Sequence, residues 1–249
     1  FTGIVIVLPF LPYFVKTETF FIKVTPTRKV AYLEHVNPEE SQAALEALQK
    51  EVARFMHKTL QTNEHFFGLQ KESKRSADEA YFNLKEYETE IINFYVPLQQ
   101  SRLSNDEVTI LNLLIAAVRN ATLSSKDLKD IKHNLDELNN AVKENYAELL
   151  TQLASHQKDF YVGLHTVLQH TGTATLGDLD SLKQMQDNSY RDDTHFIYAS
   201  LSQAHQPELT IPSLLNMVRG IHSSNEALIR AVSHYLTTQA SRRLGNQTR

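Results

Sequence analysis

Between residues 31 and 240, apolar side chains recur every three or four positions through long runs, a period that suits amphipathic helix and little else. Leu45, Leu48, Val52, Phe55, Met56 and Leu60 form one such stripe. Punctuation is sparse: 7 Gly and 7 Pro in 249 residues are too few for turn-rich sheets or repeated βαβ units. Leu, Ala, Glu, Lys and Gln, all good helix formers, fill the middle of the chain. The expected fold class is all-α.

Local signals divide the periodic region. Asn37-Pro38-Glu39-Glu40 reads as a helix start, with Asn37 as cap, Pro38 in the first turn and Glu40 at the capping-box position. A second helix is expected over about 76–99 from Tyr81, Leu84, Ile91, Ile92 and Tyr95, with Pro97 helping to end it. Ser104-Asn105-Asp106-Glu107 is a capping box that opens a long third helix from Val108 to Leu135, with a kink near Asn120. Three further helical stretches follow, Val142 to Leu168, Leu176 to Leu201 and Ile211 to Thr238, divided near His170 and near Pro207.

The second half repeats the plan of the first. An offset of 100 pairs Leu114 with Leu214, Val118 with Val218, Arg119 with Arg219, Ser124 with Ser224 and Leu128 with Leu228. These positions lie on the third helix of each half. Two three-helix repeats, about 31–140 and 141–240, are therefore expected, with short connections that favour antiparallel neighbours.

The ends differ from this body. Residues 1–15 carry no charge and begin without Met, which reads as the second half of a membrane span in a longer protein. Pro9 and Pro12 weaken a strand or core-helix reading and are better tolerated in membrane helices. Lys16, Lys23, Arg28 and Lys29 follow within a basic linker, 16–30, and such an excess favours the cytoplasmic side. The tail 241–249 holds Arg242, Arg243 and Arg249 without an acid. With +3 at each end and −4 overall, residues 31–240 carry −10, which argues against nucleic acid as a partner. The absence of Cys suits a reducing compartment and removes disulfide, thiolate-metal and cysteine-nucleophile chemistry.

Several stretches resemble one family. The run Phe1 to Phe14, with Leu8-Pro9-Phe10, looks like the last membrane segment of bacterial sodium/phosphate cotransporter family proteins. Tyr32-Leu33-Glu34-His35 and the helix after it look like their linker into a PhoU-like domain, and Leu214 to Asn225 is similar to that domain's closing helix. The resemblance implies a six-helix PhoU-like bundle preceded by a truncated transmembrane helix. It implies an accessory role beside the protein's own upstream transport domain, which would bind sodium and phosphate, with residues 16–249 cytoplasmic at the inner membrane. A homodimer is compatible with it. PhoU proteins proper can hold metal through an acidic residue four positions before an aspartate on the third helix of each repeat. Here those positions hold Leu123 and Asp127, then Ser223 and Ala227, so the acidic pairs are missing and no metal or cofactor is expected.

No enzymatic motif stands out. There is no phosphate-cradling Gly loop, nucleophile elbow or His-Glu-x-x-His pattern. His156, His165 and His170 lie at irregular helical phases, which favours solvated or half-buried rings over ligands. Asp127, Asp130 and Asp136 read as a wet helix face, and Arg191, Asp192 and Asp193 as a surface pairing cluster. The candidate shared surface between repeats, or with a partner, comprises Arg119, Ser124, Arg219, His222, Ser224 and Asn225, for which ordinary packing is the competing role. The competing functions are a membrane-tethered helical signalling or adaptor module without a phosphate connection, and a helical metalloenzyme.

Overall fold

A computed structural model of the protein describes residues 30–69, 76–141, 144–170, 176–201 and 209–247. The expected membrane segment 1–15 and the linker over 16–29 lie outside them, as do the side chains of 242–249. Among the described residues the regular structure is entirely helical. The helices are α1 (Ser41–Phe66), α2 (Ala77–Gln100), α3 (Asn105–Asp130), α4 (Lys132–Asn140), α5 (Glu144–Gln169), α6 (Leu176–Phe196) and α7 (Ile211–Gln247), with a π-helical turn at Ile197–Leu201.

The boundaries follow from local hydrogen bonding, and several differ from expectation. α1 begins at Ser41 rather than Asn37, because Asn37 Oδ1 accepts the Glu39 N–H at 3.0 Å in a turn, and Glu40 contributes no side-chain cap. It closes in a Schellman arrangement: Leu69 N–H reaches Glu64 O at 3.1 Å and Gly68 N–H reaches His65 O at 3.2 Å, with Gly68 at φ 65°. α2 passes through Pro97 and stops at Gln100. The proline removes one donor in the last turn, while buried Leu98 holds that turn to the core and its carbonyl accepts from Ser101 N and Oγ.

α3 opens on the expected capping box, with Ser104 and Glu107 bonded reciprocally. It runs unbroken through Asn120, whose Nδ2 donates to Ala116 O at 2.8 Å. The break falls at Ile131 (φ −98°, ψ 2°), so the expected third helix is two, α3 and α4. Ile131 leaves the helical path where Gly220 makes room: a Cβ on that glycine would sit 2.5 Å from Ile131 Cγ2. The expected Leu176–Leu201 helix likewise changes character at Ile197, and the last helix runs to Gln247 instead of Thr238.

α1, α2 and α3 pack on one another; α5 packs on α6, and α6 on α7. The most extensive helix pair is α3 with α7, and α1 also touches α5 and α7. The larger core draws Leu48, Phe55, Leu114 and Val118 together with Phe160, Tyr161, Leu228 and Val232. A smaller one gathers Leu128, Ile131 and Leu135 with Tyr146, Leu149, Met217 and Ile221. α3 is also the one helix among the described residues that is long and apolar enough to cross a membrane, and half of its apolar window is buried against other helices.

Candidate functional site

α3 and α7 run antiparallel along their contact. Ile131 packs on Gly220, Ser223 Oγ donates to Asp127 Oδ2 at 2.7 Å, Ser124 meets Ser224, and Arg230 Nε reaches Asn120 Oδ1 at 3.4 Å. Numbers fall along α3 as they rise along α7. Two residues that the sequence offset of 100 aligns lie face to face: Ser124 Oγ and Ser224 Oγ are 2.7 Å apart, both without solvent exposure.

A third element completes this polar seam. Asn63, near the end of α1, donates from Nδ2 to Ser124 Oγ at 2.7 Å and accepts the Ser125 hydroxyl at 2.5 Å. Asn63, Ser124, Ser125 and Ser224 are all fully buried. Bonded hydroxyls and an amide inside an apolar contact penalise any slip between the helices, because sliding would strand each group without a partner. Asn63, Ser124, Ser125 and Ser224 are uncharged groups bonded to one another, which suits them to hold the helices in register.

The other predicted residues go elsewhere. His222 turns to α6, where its ring stacks on Tyr190 at 4.3 Å and its Nδ1 faces Gln186 Nε2. Asn225 is buried and its Oδ1 has no protein partner. Arg119 and Arg219 are exposed and take no part in the seam. No family model matches the chain, and no curated protein or solved structure matches it.

Three polar clusters were not foreseen. Asp193, expected in a surface group, is buried at 3 % exposure; Gln152 Nε2 donates to its Oδ1 at 2.7 Å, and His156 Nδ1 lies 3.0 Å from the same oxygen. Burial raises the Asp193 carboxyl above the usual range, against the opposing effects of Gln152 and His156. His165 Nε2 lies 2.8 Å from Glu64 Oε1, with His57 stacked beside it, and burial followed by the His165 charge lowers the His57 pKa. Glu51, fully buried, accepts from the Tyr87 hydroxyl and from Arg54 Nη1 at 3.1 Å. Burial, then Glu51, pushes the Tyr87 hydroxyl well above its ordinary pKa.

Signals for two of these lay in the pattern. Glu51 falls three residues after Leu48 and four before Phe55, on the core phase of α1. Asp193 is seven residues beyond Gln186, itself seven beyond Leu179, on the one buried line of α6. Asp127, read as part of a wet face, is half-buried by its bond to Ser223, whereas Asp130 and Asp136 are exposed and paired with Lys126 and Lys132. Among the described residues, no three His, Asp or Glu side chains are grouped to hold a metal.

Proposed function

We propose that this chain is the PhoU-like cytoplasmic domain of a sodium-dependent phosphate transporter, acting without enzymatic activity on a transport core that precedes it. In this reading the bundle consists of two three-helix repeats, α1–α3 and α5–α7, with α4 continuing the first repeat's third helix. Residues 1–15 end the last membrane segment, and 16–249 face the cytoplasm.

The observation that carries the reading is the contact between Ser124 and Ser224. When two copies of one unit pack about a two-fold axis, the residues nearest the axis meet their own counterparts. A sequence offset of 100 and a 2.7 Å contact between residues 100 apart support such an arrangement from independent directions. The resemblance of Leu214 to Asn225 to a PhoU-like closing helix falls on the same stretch of α7.

Regulation then follows from docking. A helical domain bound unequally to two states of the transport core shifts their populations by its differential affinity. The test is phosphate uptake by cells carrying the complete transporter, with and without residues 31–249, at high and low phosphate supply. The proposal expects the truncated protein to transport but to lose its response to supply. Uptake and response both unchanged would remove it.

A further inference from the structure

We infer that residues 30–36 form a detachable strap, a conformational device held to the bundle by the carboxylates of Glu51 and Glu90. The strap is irregular backbone laid across α1 and α2. Ala31 N–H and Tyr32 N–H both donate to Glu51 Oε2, at 2.8 and 2.6 Å, and Val30 N–H donates to Glu90 Oε2 at 3.0 Å. Three successive amides thus end on two side chains, one from each helix.

The strap's own side chains add one buried anchor and two partly buried ones. Leu33 is buried at 5 % exposure, Val30 and Val36 pack partly against the core, and Ala31, Tyr32, Glu34 and His35 are exposed. Glu51 is itself fixed independently of the strap, since its other oxygen accepts from Arg54 and Tyr87. The receptor for the strap is therefore part of the helix pair; Leu33 joins the same apolar core as Leu48, Phe55, Leu84, Tyr87 and Ile91, with Val30 and Val36 packed against it. Docking fixes how the preceding chain approaches the bundle, and release frees that approach while the helices stay packed. The inference stands whether or not the preceding segment belongs to a transporter.

Hydrogen exchange on the full chain, read at the strap amides and at amides of α1, α3 and α7, tests it. Docked wild-type strap amides should be protected. Glu90→Gln and Glu51→Gln each weaken charge-assisted bonds and should raise strap exchange by about ten-fold or more, with α3 and α7 unchanged. Ala31→Pro deletes one donor from the strap side and leaves both carboxylates intact, so it should produce the same local acceleration at Tyr32 even if Glu51→Gln fails to fold. Unprotected strap amides in the wild type, or loss of protection in α1 and α2 together with the strap in Ala31→Pro and Glu90→Gln, would overturn the inference.

Discussion

Asp193 shows how a single buried carboxyl ties stability to pH. Its folded pKa lies above the ordinary 3.8, chiefly because burial disfavours the charged form. As pH rises past the ordinary value, the unfolded chain loses this proton first while the folded chain keeps it. The group's contribution is thus complete below the ordinary value and is lost as pH rises through the raised one. Asp193→Asn, which retains an oxygen for Gln152, should remove that decline; urea midpoints measured from about pH 4 to pH 7 should fall less steeply in the variant. Identical pH slopes would contradict the assignment. In the sequence this residue was misread because Arg191-Asp192-Asp193 looks like a solvated charge run, and acids are rarely buried without partners. The partners, Gln152 and His156, are some 40 residues away and become visible only when α5 lies against α6. Ser124 and Ser224, two of the six candidate surface residues, do meet, and the sequence offset of 100 is the signal that paired them.

At the scale of elements, two helical glycines occupy comparable positions with different consequences. Gly220 faces Ile131 Cγ2 across the α7 contact, and Gly163 faces the Leu182 Cδ2 methyl of α6. Ile131 is β-branched and stiff, so Gly220→Ala should force a backbone shift and destabilise by about 1–3 kcal/mol. Leu182 is half-buried and can change rotamer, so Gly163→Ala should cost less; the helix-propensity gain of about 1 kcal/mol is common to both substitutions. Thermal denaturation of the two variants compares them directly; a Gly220→Ala variant at least as stable as Gly163→Ala would refute the packing argument. Helix starts marked by Ser104 were legible because the capping box is a local signature. The break at Ile131 was not, and the residue it packs on, Gly220, lies 89 residues later in the chain on another helix. Pro97 misled for a related reason: the pull of Leu98 into the core extends α2 past a residue that ordinarily ends a helix.

For the whole molecule, the period of three and four made the helices of the described residues readable, and the sequence offset fell on α3 and α7, which form the most extensive helix pair. What could not be read was that α1 reaches three other helices, bonding Asn63 to α3 and Glu64 to α5 and placing Gln49 Nε2 3.4 Å from Thr238 Oγ1 on α7. Such contacts depend on crossing angles that periodicity does not encode. The same packing explains why α3, apolar enough to cross a membrane, serves as the central helix of a bundle. Everything in the functional reading rests on α3 and α7 meeting antiparallel at Ser124 and Ser224. Because the chain has no cysteine, a Ser124→Cys, Ser224→Cys double variant carries only the two thiols of interest. Mild oxidation followed by mass measurement of linked peptides should find these two positions joined rapidly. A control pairing Ser124→Cys with Ser241→Cys, about 25 Å further along α7, should remain reduced. Linkage of 124 to 224 no faster than in the control would contradict the account.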